Sequence, residues 1–236
     1  MSEKTEPNSP FPHSTESRVT VLSTKKLKTN QRELLLNRGI GLVEKEFISI
    51  VPLPFKINEI PENIIFTSKN AVKAILDHPS KRYFQQRNIF CVGYKTAEFL
   101  TQNGFHICKT ANYGEDLASL IVKEHSGESF LFICGKSRHD ALPKGLKKAG
   151  IPLKEVEVYD TELSPKKIDR IFDGVLFFSP SAVKSYCSEN DLNESVVFCI
   201  GTTTAEEAGK YTDKIVLTST PSVENVIVQV VKYFSG

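Results

Sequence analysis

The chain is an imperfect copy of itself. Sliding the sequence along its own length by about 111 residues brings apolar runs and turn residues into register over most of its 236 positions, a self-similarity that constrains the fold before any local propensity does. Ile64-Ile65-Phe66-Thr67-Ser68-Lys69-Asn70-Ala71-Val72-Lys73 faces Val175-Leu176-Phe177-Phe178-Ser179-Pro180-Ser181-Ala182-Val183-Lys184. Phe90-Cys91-Val92-Gly93-Tyr94-Lys95-Thr96-Ala97-Glu98 faces Phe198-Cys199-Ile200-Gly201-Thr202-Thr203-Thr204-Ala205-Glu206. Upstream, Arg18 to Ser23 and a helical stretch ending at Gly39 match Phe130 to Gly135 and a helical stretch ending at Gly150, and residues 40–46 then match 151–157.

Each copy alternates short runs rich in Val, Ile and Phe, closed by Gly or Ser, with amphipathic stretches of helical period. Such alternation predicts an α/β fold of parallel sheets flanked by helices. The joints suit helix starts: Ser68 or Asn70, Ser179 with Pro180, and the threonines after Gly93 and Gly201. Open α/β sheets bind ligands outside the carboxyl ends of their strands, where helix N-termini present unpaired N–H groups and partial positive charge. A duplicated chain supplies two such rims, and a large anion could sit between them. Periodicity leaves one matter open. Each copy folds alone, or the first strand–helix unit crosses over to complete the other copy's sheet, with residues 40–53 and 151–163, punctuated by Pro52, Pro54 and Pro152, as the crossing connections.

With 40% hydrophobic residues, the chain can bury one large core or two of roughly 110 residues each, which excludes disorder over its whole length. Thirty basic residues against 28 acidic ones leave a formal charge of +2, so no global field recruits nucleic acid or an anionic membrane. The apolar runs, such as 175–178, fall far short of the roughly 20 residues a bilayer span needs, so a soluble chain is expected. Residues 1–17 carry Pro7, Pro10 and Pro12 among Ser, Thr, Asn and Glu. They lack the apolar centre of a signal peptide and the arginines of a transit peptide, read as a flexible tail, and point to the cytoplasm. Of the five cysteines, Cys91, Cys134 and Cys199 lie inside apolar runs and none forms a C-x-x-C pair, the pattern of small buried hydrophobes. The histidines are dispersed, so no metal site is expected.

Individual motifs have ordinary readings. Gly39-Ile40-Gly41 follows a helix and precedes a strand, the reverse of a dinucleotide fingerprint, and reads as a helix stop. No P-loop is present, and Ser179 and Ser181 lack the G-x-S-x-G setting of a hydrolase nucleophile, which leaves them as helix-start residues. Thr96 and Thr204 hold equivalent first-turn positions, which duplication of a cap would also produce. Gly135-Lys136-Ser137-Arg138-His139 joins a strand-ending glycine to three groups that can be cationic, suited to carboxylate or phosphate and equally to a solvated basic turn. Tyr159, in Val156-Glu157-Val158-Tyr159, reads by its spacing as a packed linker aromatic.

At these residues the chain resembles the uroporphyrinogen-III synthases. The matching pieces are Ile65-Phe66-Thr67-Ser68 with Asn70-Ala71-Val72, the Val-Gly-x-x-Thr-Ala segment at 92–97, Leu142-Pro143 with residues 146–150, and Val158-Tyr159-Asp160-Thr161. Phe177-Phe178-Ser179-Pro180-Ser181-Ala182-Val183 and Ile200-Gly201-Thr202-Thr203-Thr204-Ala205 follow, all in the family's order, so that the resemblance covers residues 18–236. It implies two similar α/β lobes facing each other across a cleft and joined by a two-stranded linker, with one lobe built from both chain ends. Residues 18–38 plus 164–236 are then the first lobe, 54–150 the second, and 39–53 paired with 151–163 the linker.

The resemblance also implies the reaction. The family closes the linear tetrapyrrole hydroxymethylbilane to uroporphyrinogen III, losing water and inverting the terminal pyrrole ring through a spiro intermediate, with no cofactor. The same substrate closes spontaneously without inversion, so the catalyst must favour one transition state over a competing one, chiefly by orientation. Residue by residue, the resemblance suggests Tyr159 as the side chain nearest the departing hydroxyl or developing cation. Thr96 and Thr204 correspond to cleft threonines, with Thr203 beside the latter. Ser68, Ser179 and Ser181 correspond to strand-end groups that hydrogen-bond acetate and propionate arms, Lys69 and Arg138 to carboxylate partners, and Gly93, Gly135 and Gly201 to sources of main-chain N–H. A monomer is implied that takes hydroxymethylbilane by transient hand-over from the enzyme that makes it and binds neither nucleic acid nor membrane. A non-enzymatic two-lobed binder of a small polyanion is the alternative the residues allow. A glycosyltransferase-like or phosphoribosyl enzyme lacks its acidic metal motif.

Overall fold

A computed structural model of the chain describes residues 18–192 and 194–236; the tail expected at 1–17 lies outside the described residues. The elements run β1 (Thr20–Ser23), α1 (Thr29–Leu36), β2 (Gly41–Glu44), β3 (Ile48–Pro52), β4 (Asn63–Phe66), α2 (Lys69–Leu76), α3 (Lys81–Gln85), β5 (Asn88–Val92), α4 (Tyr94–Gln102) and β6 (Ile107–Ala111). They continue with α5 (Gly114–Glu124), β7 (Phe130–Gly135), α6 (Ala141–Lys148), β8 (Leu153–Leu163), β9 (Gly174–Phe177), α7 (Pro180–Cys187), β10 (Val196–Cys199), α8 (Thr202–Ala208), β11 (Ile215–Leu217) and α9 (Val223–Ser235).

The chain divides into two compact units. One joins the residues up to Phe47 to Pro165–Gly236, and the other is Ile48–Ser164. The first unit holds a parallel sheet in the order β11-β10-β9-β1-β2. The second holds β3-β8-β7-β4-β5-β6, parallel except for the antiparallel pairing of β3 with β8. Under the internal repeat, β1 and β2 correspond to β7 and β8, while β4, β5 and β6 correspond to β9, β10 and β11. Each sheet therefore joins two adjacent strands from one copy to three from the other in the same order, and the second sheet adds β3 at its edge. The crossed arrangement is the one adopted.

Strand residues alternate between two buried faces, which is why these strands read as continuous apolar runs. In the second unit Ile64, Phe66, Leu131 and Ile133 pack under α2 and α4 with Ala71, Val72, Ile75 and Leu100. On the opposite face Ile65, Phe130, Phe132 and Cys134 pack against Leu117, Ile121, Leu142 and Leu146 of α5 and α6. In the first unit Val21, Leu176 and Phe198 meet Leu35 of α1 and Val226, Ile227 and Val230 of α9. The helix stops at Gly39 and Gly150 are also equivalent, with φ of 74° and 73°. In both, the following residue returns its N–H to a carbonyl in the last turn, Ile40 to Leu35 and Ile151 to Leu146.

The pairing of residues 39–53 is divided. Gly41–Glu44 hydrogen-bond in parallel to β1 as the edge of the first sheet, because the short β1–α1–β2 crossover returns β2 beside β1. Only Ile48–Pro52 pair with Tyr159–Leu163. Pro52 is tolerated there because β3 is an edge strand whose outer side needs no donor. Residues 153–159 of β8 belong to the second sheet, against β7.

Candidate functional site

In both sheets the strand order reverses at the seam where the two repeat copies meet, between β1 and β9 in the first unit and between β7 and β4 in the second. Loops leaving the carboxyl ends of such neighbours diverge to opposite faces and open a crevice. Ser68, Gly135 and Tyr159 gather at the second unit's seam.

Tyr159 stands where β8 changes partner. Its backbone is opposite Gly135 of β7 on one side and Pro52 of β3 on the other, and its carbonyl accepts the Lys136 N–H at 2.9 Å. The β7–β8 register slips by one residue between Cys134 and Gly135, because Cys134 faces Glu157 and Gly135 faces Tyr159. A slip of this kind re-aims a side chain. It lets Tyr159 pack against the same cluster as Val156 and Val158, where strict alternation would turn it away. The ring lies directly on Gly135: a Cβ there would stand 2.5 Å from Tyr159 Cζ and 2.8 Å from its hydroxyl oxygen. Burial pushes the phenol's pKa above the usual tyrosine range, against a smaller opposite pull from the Ser68 hydroxyl. At neutral pH it is an uncharged O–H, able to donate to a leaving oxygen in a half-dry setting.

Ser68 is placed by the helix it starts. Its backbone is extended (φ −149°, ψ 138°) and its Oγ accepts the Asn70 N–H at 3.1 Å, so the hydroxyl caps α2. Lys69, next in the chain, is half-buried with Nζ 5.5 Å from the Phe99 ring centre on α4. Thr96 is buried in the first turn of α4, with its N–H on the Gly93 carbonyl at 3.0 Å.

Arg138 is engaged elsewhere. It donates to Glu155 through Nε (2.5 Å) and approaches Glu157 at 4.0 Å. Lys136 and Ser137 both face Asp160, at 3.3 and 3.4 Å. Asp160 is held below the usual carboxylate range by the Thr161 N–H first and by Lys136 second. The basic turn is thus matched charge for charge by β8, a compensation hidden from local sequence because Glu155 and Arg138 lie 17 positions apart.

In the first unit Ser179 repeats the Ser68 cap, with extended backbone and Oγ accepting the Ala182 N–H at 3.2 Å. Ser181 is half-buried in the first turn of α7, Thr203 is exposed, and Thr204 is buried in the first turn of α8 with its N–H on the Gly201 carbonyl at 3.1 Å. These four sit on the helix starts that follow adjacent strands β9 and β10. Sequence reasoning passed over the stretch from Ser23 to Lys26. Buried Thr24 crosses the first unit's seam, giving both its Oγ (2.7 Å) and its N–H (3.1 Å) to the Leu176 carbonyl. Lys25 Nζ lies 5.6 Å from the Phe178 ring centre. The repeat, which sets 23–26 against 135–138, was the available signal.

Among the described residues, no cluster of His, Cys, Asp or Glu is placed to hold a metal ion, and no helix is long and apolar enough to cross a membrane.

The profile of a family described as uroporphyrinogen-III synthase HemD matches residues 31–227. The chain is 29% identical over 162 residues to the uroporphyrinogen-III synthase of Saccharomyces cerevisiae, a match covering 56% of this chain and 58% of that one. It is likewise 29% identical over 164 residues to that of Chlorobaculum parvum, covering 60% of this chain and 67% of the relative. The crystal structure of uroporphyrinogen-III synthetase from Helicobacter pylori superposes with a TM-score of 0.70 at 20% identity over 91% of this chain and 99% of that one, which speaks for the fold. A family match running from α1 to α9, through the second unit's seam, both capping serines and Tyr159, places the chain in the uroporphyrinogen-III synthase family.

Proposed function

We propose that the chain closes hydroxymethylbilane to uroporphyrinogen III, with loss of water and inversion of the terminal ring. The observation that carries this reading is Tyr159, a neutral phenol packed directly onto Gly135 at a strand seam. In the reaction so read, the phenol donates to the departing hydroxyl and its oxygen then faces the carbon that gains positive charge. Pre-set hydrogen bonds from strand-end groups hold the acetate and propionate arms, so that the terminal ring is attacked at its substituted position before the unturned closure competes. Ser179, Ser181, Thr203, Thr204, Thr96 and Lys69 supply such groups in this reading, with the main-chain N–H groups that follow Gly93 and Gly201, whereas the N–H after Gly135 is taken by the Tyr159 carbonyl. Arg138 fixes the turn after β7 through Glu155.

The reading includes a monomer in the cytoplasm that receives the substrate directly from the enzyme that makes it; light scattering and mixing of the two enzymes test those parts. The decisive experiment is incubation with freshly generated hydroxymethylbilane, oxidation of the products and separation of the isomers. Type III product is expected. Type I product alone refutes the reading, and a tetrapyrrole bound and released unchanged would mark a polyanion binder instead.

A further inference from the structure

The two seams are equivalent in fold but differ in charge balance. In the second unit the cations that follow β7 are matched by carboxylates of β8, Asp160 for Lys136 and Glu155 for Arg138. In the first unit the equivalent turn after β1 carries Lys26, and here the carboxylate at the end of the neighbouring strand, Glu44, is held from another side. Arg32 of α1 pairs with it at 2.9 Å and the Leu27 N–H donates to its other oxygen.

A concavity of about 240 Å³ remains beside this turn, lined by Lys26, Glu44, Lys45, Glu46 and Lys166. Its place is set by the backbone, since the Lys45 N–H donates to the Ser23 carbonyl at 3.0 Å and brings the carboxyl ends of β1 and β2 level. Lys166 reaches in from 120 positions along the chain, its Nζ on the Glu46 carbonyl at 2.7 Å. Three ammonium groups thus line the hollow with two carboxylates, one of them already paired with Arg32. All three lysines are exposed. Clustered cations on a concave wall raise the local concentration of anions and shorten their search.

We infer that this concavity is a carboxylate subsite that takes an acetate or propionate arm of the linear tetrapyrrole, with Lys26 and Lys45 as its principal cations. The identity of the ligand rests on the reading of the preceding section, whereas the affinity for carboxylates does not. Ammonium groups suit these arms because a charge-assisted bond from a flexible stem follows an arm without fixing its direction.

The test is the double variant Lys26→Gln with Lys45→Gln in the full chain. Its KM for hydroxymethylbilane should rise about tenfold while kcat falls far less, the loss expected for charge-assisted contacts made equally in ground and transition states. The salt sensitivity of kcat/KM should weaken with it. Titration of the unmodified chain with benzenehexacarboxylate, followed by amide resonances, gives a measurement that needs no variant: shifts should concentrate at residues 25–27 and 44–46. An unchanged KM in the variant, or shifts that spare these residues, overturns the proposal. If the unmodified chain makes no type III isomer yet shows these shifts, and the variant loses them, the proposed reaction fails while the carboxylate subsite stands.

Discussion

Gly135→Ala introduces a single methyl group at the point where the candidate site is most tightly defined. The new Cβ would stand 2.5, 2.7 and 2.8 Å from Cζ, Cε2 and the hydroxyl oxygen of Tyr159. Carbon atoms in contact settle at about 3.5–4.0 Å, so the ring must retreat by about 1 Å. The β7 backbone is held by ladders on both sides, to β4 and to β8, whereas the ring is the free end of a two-torsion side chain. The ring therefore moves. Overpacking of this kind costs about 1–3 kcal/mol. A 1 Å displacement of a positioning group costs on the order of 100-fold in turnover. Urea denaturation and the isomer-resolved assay on the variant measure the two effects separately. Combining Gly135→Ala with Tyr159→Ala should remove most of the stability penalty, because the methyl group then enters vacated space. An undisplaced ring with unaltered turnover, or the same penalty in the Tyr159→Ala background, would refute the reasoning.

Four further outcomes follow from the structure. Tyr159→Phe should lower turnover by about 10- to 100-fold with the urea midpoint nearly unchanged, since it removes the proton donor and keeps the packed ring. Thr96→Ala or Thr204→Ala alone should cost less, and an equal or larger loss in either would move the chemistry away from Tyr159. Gly93 (φ 86°) and Gly201 (φ −169°) are equivalent in the repeat but not in backbone conformation. Alanine at 93 should therefore destabilise by about 1 kcal/mol while alanine at 201, with nothing within 4 Å of its Cβ, should leave the denaturation midpoint in place. Burial pushes the thiols of Cys91, Cys134, Cys187 and Cys199 from 9.0 up to about 12. Between those values the unfolded chain has lost protons that the folded chain keeps, so stability should fall as pH rises above 9, by up to about 1.4 kcal/mol per unit for each thiol. Stability measured from pH 8 to 11 should show a shallower decline in Cys91→Ala, and an identical slope would count against this account.

Much of the architecture is legible in the residues because its signals are local. The Ser68 and Ser179 caps, the stops at Gly39 and Gly150, and the apolar runs of β4 and β9 each depend on neighbours within a few positions, and the repeat displays them twice. The site was legible only in part. Ser68 and Gly135 announce a strand end, but Tyr159 occupies an alternating stretch that reads as ordinary packing, and nothing near Arg138 reveals that Glu155 holds it.

What the sequence by itself determined is the inventory: two copies of one strand–helix unit, with their caps, stops and buried faces. Tertiary structure decided the exchange, because β1 offers β4 and β9 nearly the same edge. The choice between them rests on the whole set of contacts behind each sheet, not on any run of residues. It also decided the slipped register that turns Tyr159 onto Gly135. A one-residue slip between β7 and β8 is a property of two strands and the core beneath them, and neither strand encodes it alone.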